Sequence, residues 1–238
     1  MITGRLNKIL SKWKGHQYKI DERITTDYLL SVLLSRLTML INGKLSSVSN
    51  KGLFFLSPGA CIRSSSNLKV GRLVTINRGC YIDALSEQGI ILGNNVSMGM
   101  NTKIEGTGNL QFLGKGLYVG NNVGLGSDNF FGCAGGIEIG DDTIIGNYVS
   151  LHSENHCFED LSQLIRLQGV THKGIFIGKN CWIGARVTIL DGAHIENNCI
   201  IAAGAVVKSG RYKKNGIYGG IPAQFIKWRT QEMINANE

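Results

Sequence analysis

The sequence predicts an all-β solenoid, a parallel β-helix of hexapeptide repeats, and three observations carry that expectation. First, residues 177–208, IGKNCW-IGARVT-ILDGAH-IENNCI-IAAGAV-VK, align in sixes, so that Ile177, Ile183, Ile189, Ile195, Ile201 and Val207 share one column. Cys181, Val187, Ala193, Cys199 and Ala205, all small or β-branched, stand two places before the last five of these. Second, a period of six is neither the 3.6 of a helix nor the alternation of a single strand, and self-similarity at a fixed period marks stacked repeats. Third, thirty-two glycines against two prolines in 238 residues suit a chain of many tight corners better than a disordered one.

Each unit supplies one short strand and one corner. The leading Ile or Val fills the interior, the small residue fits the crowded turn, and glycine takes backbone angles that a corner can require. Three units close a triangular coil, and the next coil stacks at the ordinary inter-strand spacing of ~4.8 Å. One coil buries little, so several are needed.

In chain order, residues 1–50 read as a basic arm and an amphipathic helix. Lys8, Lys12, Lys14, Lys19 and Arg23 surround Trp13 and Tyr18, and a short helix or loose arm is expected there. In 25–42, Thr25 or Thr26 can cap a helix whose stripe is Leu29, Leu30, Leu33, Leu34, Leu37, Leu40 and Ile41. A membrane span needs ~20 predominantly apolar residues, and Arg36 interrupts this one. A helix packed on the solenoid or on a neighbouring subunit is the first expectation, and peripheral membrane contact through 1–45 the second. The β-helix should occupy 51–215. Its column runs through Leu56, Ile62, Leu68, Val70, Ile76 and Ile82, restarts at Leu92, Met98 and Ile104, then at Leu113, Val119, Leu125 and Phe131, and again at Ile139, Ile145 and Leu151. Slips near 83–91, 105–112 and 132–138 should bulge as short loops, within roughly seven coils of ~18 residues. Residues 152–174 abandon the pattern and should protrude as a loop carrying His152, His156 and His172, a common arrangement for function on a rigid scaffold. Residues 216–238, with Gly219–Gly220–Ile221–Pro222, should form a turn and a short C-terminal helix.

Composition narrows the classes. A formal charge of +8 fits either a solvated basic surface or attraction to anionic phosphates or a membrane. Sparse aromatics and no interleaved basic stripe argue against nucleic acid. Cys80, Cys181 and Cys199 sit in the small-residue column and read as buried hydrophobes, and without a CxxC pair no zinc framework is expected. The first residues lack an apolar core and cleavage site, so the expected location is the cytoplasm, extending to the inner face of the membrane.

With these residues in view, the chain resembles the hexapeptide-repeat acyltransferases, particularly sugar O-acetyltransferases of the galactoside, maltose and surface-polysaccharide groups. IGKNCWIGARVTILDGA (177–193) is similar to the family's IGxxxWIGxxxxIxxGV run, IIAAGAVV (200–207) to IGAGSVV, and GIPA (220–223) to GxPA. SENHCFED (153–160) with Gln168–Gly169 is similar to the histidine loop of polysaccharide acetyltransferases. The resemblance implies left-handed coils, acetyl-CoA as co-substrate with no metal, and a homotrimer with active sites between subunits acting on a sugar acceptor. It implies His156 as general base, suited by an imidazole pKa near working pH, with His152 as runner-up and Glu154 as a group that could orient the imidazole. The Ala185 N–H would donate to the oxyanion. Trp182, Gly184, Ala185, Ala203 and Gly204 would line the cofactor path, with Lys208, Lys227 or Arg229 at its phosphates. The family's VVTKDVP reads VVKSGRYKK here, so Arg211, Lys213 or Lys214 compete for that role. Asn129, with Asp128 beside it, would meet the acceptor.

Other readings stay open: N-acyl transfer to an amino sugar, a γ-type carbonic anhydrase with three histidines on adjacent coils, and a structural or binding solenoid without chemistry.

Overall fold

The structure, a computed structural model, describes residues 19–230. Beyond the helix Thr26–Leu45, almost all regular structure is short parallel strand. The strands collect into three sheets of eight, nine and seven, and successive strands visit the first, second and third sheet in turn. This is a left-handed parallel β-helix. Ile177, Ile183 and Ile189 sit on the three walls of one coil, each fully buried, and the coil above places Ile195, Ile201 and Val207 directly against them. Cys80, Cys181 and Cys199 are buried as expected, and burial pushes their thiols up, to about 11 for Cys80 and about 12 for Cys199.

The three corners differ. Between the first and second sheets the turn is made by Asn95, Asn122, Asp142, Asn180, Asn198 and Asn215, all with φ between 53° and 62°. Asparagine visits the left-handed region at low cost, and here its side chain also bonds up and down the stack. Asn95 donates to Asn122 (3.1 Å) and Asn122 to Asp142 (2.9 Å); Asn180 donates to Asn198 (2.9 Å) and Asn198 to Asn215 (2.9 Å). Glycine is therefore not the main corner residue at this edge. Every irregular stretch falls instead at the corner between the third and first sheets: 84–89, 106–116, 133–136 and 153–174. The slips foreseen in the sequence share this one edge.

Two expectations are corrected. Leu113 is not an interior residue; it is 47% exposed within the 106–116 bulge, because the column restarts at Leu117 and Val119. Residues 216–228 are not a turn leading into a helix. Gly216–Gly219 and Gln224–Trp228 pair antiparallel across the Gly220–Ile221–Pro222 turn, whose Ile221–Pro222 bond is cis, and Phe225 packs edge-on to Tyr218 at 5.7 Å. The return strand satisfies the last edge of the second sheet with backbone bonds that a helix could not supply. The remainder of that expectation, 231–238, and the arm 1–18 with His16 lie outside the described residues. The N-terminal helix forms as foreseen, with Met39 and Gly43 buried and a Cβ on Gly43 overlapping the Phe54 carbonyl. Along its stripe Leu30, Leu33, Leu34, Leu37 and Ile41 are 44–56% exposed. No helix among the described residues is long and apolar enough to cross a membrane.

Candidate active site

The loop leaves the third sheet after Ser150–His152 and returns at Ile175–Ile177, and both stems are tied down. The fully buried Ser153 hydroxyl donates to the Gly132 carbonyl (2.7 Å) and accepts from the Gly135 N–H (2.9 Å). At the other stem the buried Asp191 carboxylate accepts from the Lys173 N–H (2.9 Å) and the Gly174 N–H (2.7 Å). Between them, Asn155–His156 pairs antiparallel with Val170–Thr171. Farther out, Asp160 accepts from the Ser162 hydroxyl (2.6 Å) and from Gln163 (2.9 Å), and these bonds hold its carboxyl below the usual range. The outer loop shows Phe158, Leu161, Leu164, Ile165 and Leu167 to solvent, Leu161 being 98% exposed. A polar backbone mesh thus carries an apolar surface outward.

His156 lies on the ribbon with its side chain exposed and makes no side-chain hydrogen bond to a described residue. Glu154 does not orient it. The Glu154 carboxylate instead meets His172 Nε2 at 3.0 Å, both side chains about a third exposed. His152 stays on the third-sheet strand, with Nε2 at 2.6 Å from the Ser150 hydroxyl and its ring 5.5 Å from that of Phe130. The reading of the sequence missed Phe130 and Ser150 as neighbours of His152. They share the outward column of the third sheet and could have been found by counting rungs.

The WIGA run forms the other half. Trp182 stands 55% exposed on the second sheet between Ile144 and Ile200. Gly184 is buried under the next coil, where a Cβ would lie 2.5 Å from the Ala203 nitrogen. Ala185 follows at an exposed corner; its carbonyl accepts from the Gly204 N–H (2.9 Å), while its own N–H meets no described acceptor. Ala203 and Gly204 are exposed one rung on, with open space around Gly204. Lys208 and Lys227 are exposed and form no ion pair with a described residue. Arg211 is committed to Glu196, and Arg229 donates to the Asn198 carbonyl (3.0 Å). This smooth, open strip with free ammonium groups fits an extended thioester ending in phosphates.

Asn129 does not reach an acceptor. It is 2% exposed, its Nδ2 donates to the Gly146 carbonyl (2.8 Å), and its Oδ1 accepts from the Val149 N–H (2.6 Å), so both ends of the amide hold the corner together. Asp128 is exposed and accepts from Asn101 (3.0 Å). Among the described residues of one chain no three His, Cys, Asp or Glu gather to hold a metal.

Within one chain the two halves stand apart. Ala185 precedes the strand Thr188–Leu190, and the histidine loop follows Ser150–His152, its parallel neighbour. By that register Ala185 is level with Asn147, six residues before the loop begins at Ser153, roughly 15–20 Å along the wall.

Fold and repeats together define a hexapeptide-repeat β-helix protein, and residues 174–209 match the family described as bacterial transferase hexapeptide (six repeats). The chain is similar to a Mycobacterium tuberculosis protein assigned as an acetyltransferase, 31% identical over 159 residues, 66% of this chain but only 50% of the relative. It is similar to WbbJ of Escherichia coli K12, assigned to O-acetyl transfer in lipopolysaccharide biosynthesis, 26% identical over 161 residues covering 64% of this chain and 78% of the relative. Among solved structures it superposes on a variant of AntD, an N-acyltransferase of Bacillus cereus, with a TM-score of 0.52 at 17% identity, over 82% of this chain and 91% of that one.

Proposed function

We propose that the chain is an acetyl-CoA-dependent O-acetyltransferase acting on a sugar hydroxyl of a surface polysaccharide or its precursor. The observation that carries this is the pairing of a rigidly stemmed loop bearing His156 with an exposed, uncommitted N–H at Ala185 in the WIGA run. His156 takes the proton of the acceptor hydroxyl as its oxygen attacks the thioester carbonyl, a contribution of ~10²–10⁴-fold. The Ala185 N–H donates to the oxygen of the tetrahedral intermediate. Collapse breaks the carbon–sulfur bond, and the imidazolium returns its proton to the departing thiolate. With the two groups starting roughly 15–20 Å apart along one wall, the site assembles between copies, His156 from one and Ala185 from the next. The exposed apolar tip at Phe158, Leu161 and Leu164 supports that assembly, as a homotrimer. Trp182, Ala203 and Gly204 line the pantetheine, and Lys208 and Lys227 hold phosphates. Six unpaired cysteines agree with a reducing cytoplasm.

The same base and donor would serve an amine, so N-acylation of an amino sugar is separated only by the acceptor. The test is release of CoA thiol from acetyl-CoA by wild type and His156→Ala, against free, nucleotide-linked and lipid-linked sugars with and without amino groups. Acceptor-dependent release that collapses in the variant supports the reading. Equal release in both removes His156 as base and points to His152.

A further inference from the structure

The first sheet carries an outward column that the chemistry above does not use. Tyr118, Glu138, Phe176 and His194 stand in register on four successive rungs. The Phe176 and His194 rings stack at 4.5 Å with 15° between planes. Beside them runs a shallow depression of about 410 Å³. Its floor is bare because each rung turns into the first sheet through a glycine, as at Gly136 (φ 92°) and Gly174 (φ 84°). Its bank bears Lys115 and Lys173, two rungs or ~10 Å apart. Both lysines are exposed and form no ion pair with a described residue. The depression opens at the foot of the histidine loop, which ends at Lys173.

We propose that this trough binds an extended, anionic oligosaccharide, the acceptor chain of the transferase. The claim rests on the reading under Proposed function for the word acceptor, but not for binding. Four rungs span ~14 Å, longer than one sugar ring. In the Phe176–His194 stack one face of each ring covers the other, so the pair offers its ring edges and outer faces, beside the exposed Tyr118 ring, as apolar surface with polar surroundings, a match for a pyranose with its C–H face and its hydroxyl rim. Glu138 accepts hydroxyl protons, and the two ammonium groups supply attraction to carboxylates or phosphates spaced along a chain. A nucleoside sugar or monosaccharide would leave half of the platforms unused.

Calorimetry on the full-length protein tests this with three probes: an oligouronate hexasaccharide, neutral maltohexaose and monomeric glucuronate. The oligouronate should bind about tenfold or more tighter than the other two, with affinity falling as salt rises. Phe176→Ala should weaken both hexasaccharides about tenfold, and Lys115→Ala with Lys173→Ala should erase the advantage of charge. All these side chains face outward, so melting temperature and acetyl-CoA binding should not change. Equal affinity for monomer and hexamer, no binding of either hexasaccharide, or full binding by Phe176→Ala overturns the proposal. So does a change of sedimenting mass in Phe176→Ala, which would make this face an interface between copies. CoA thiol release is scored separately: oligouronate binding without it keeps the trough and discards the transferase, and release with monosaccharides alone does the reverse.

Discussion

Two edges of the same prism, built by the same repeat, have opposite characters. Where the first sheet passes to the second, no rung carries an insertion, and asparagine side chains bond from coil to coil. Where the third passes to the first, the bulges 84–89, 106–116 and 133–136 and the 153–174 loop all emerge. A side-chain ladder needs each corner at the height of its neighbour, so an inserted residue there would break two hydrogen bonds. The glycine-lined edge has no such ladder to lose. The solenoid can therefore grow chemistry at one edge without disturbing its stacking, and the candidate base and the trough both lie there.

The largest effect should come from the variable edge and leave stability alone. His156→Ala should lower acetyl transfer by ~10²–10⁴-fold with an unchanged melting temperature, measured by thiol release beside thermal denaturation. The interior should behave in the reverse way: Ile189→Ala, at a fully buried site, should cost ~2–5 kcal/mol by denaturant unfolding. The ladder comes next. Asn198→Ala loses two side-chain bonds at φ 62° and should cost about 2–3 kcal/mol, with kcat held within about twofold in surviving protein. If Asn198→Ala instead abolished transfer at unchanged stability, the contrast between the two edges would be wrong. Asp191→Ala tests the stem. Freeing the Lys173 and Gly174 amides should cost ~1–3 kcal/mol and raise KM for the acceptor more than it changes acetyl-CoA binding.

The smallest effect is a pH dependence confined to the outer loop. The Ser162 hydrogen bonds lower the Asp160 pKa from its ordinary 3.8. A lowered folded-state pKa means order that is fully present above the ordinary value and is lost as pH falls through the lowered one. Amide exchange at Ser162 should therefore be pH-independent in protection near neutrality and lose protection only in strong acid. Asp160→Asn should remove that dependence. Protection lost already near neutral pH would show that another group holds the loop.

Much of this was legible without coordinates. The Ile177–Val207 column predicts which residues are buried, because a six-residue period permits only one inward direction per unit, and the break at 152–174 announced the loop. The misses have two causes. Leu113 and Glu154 belong to stretches where the period slips, and there the count no longer says which neighbour a side chain meets; Asn129 stands two places before Phe131, in the small-residue column, and the count of six would have placed it inside. Leu113 fell in a bulge, Glu154 turned to His172, and Asn129 spent its amide on Gly146 and Val149. The C-terminal strand was missed because its partner, the open edge at Gly216–Gly219, exists only once the coils have stacked.

The sequence by itself determined the repeat, the three walls, the buried cysteines and the place of the histidine loop, since local period and side-chain size suffice for these. Tertiary structure decided that all bulges share one edge, that Glu154 serves His172, and that Phe176 and His194 stack beside two free lysines. Those facts depend on which rung lies over which, and residues 18 to 38 positions apart in the chain become neighbours only when one coil closes on the next.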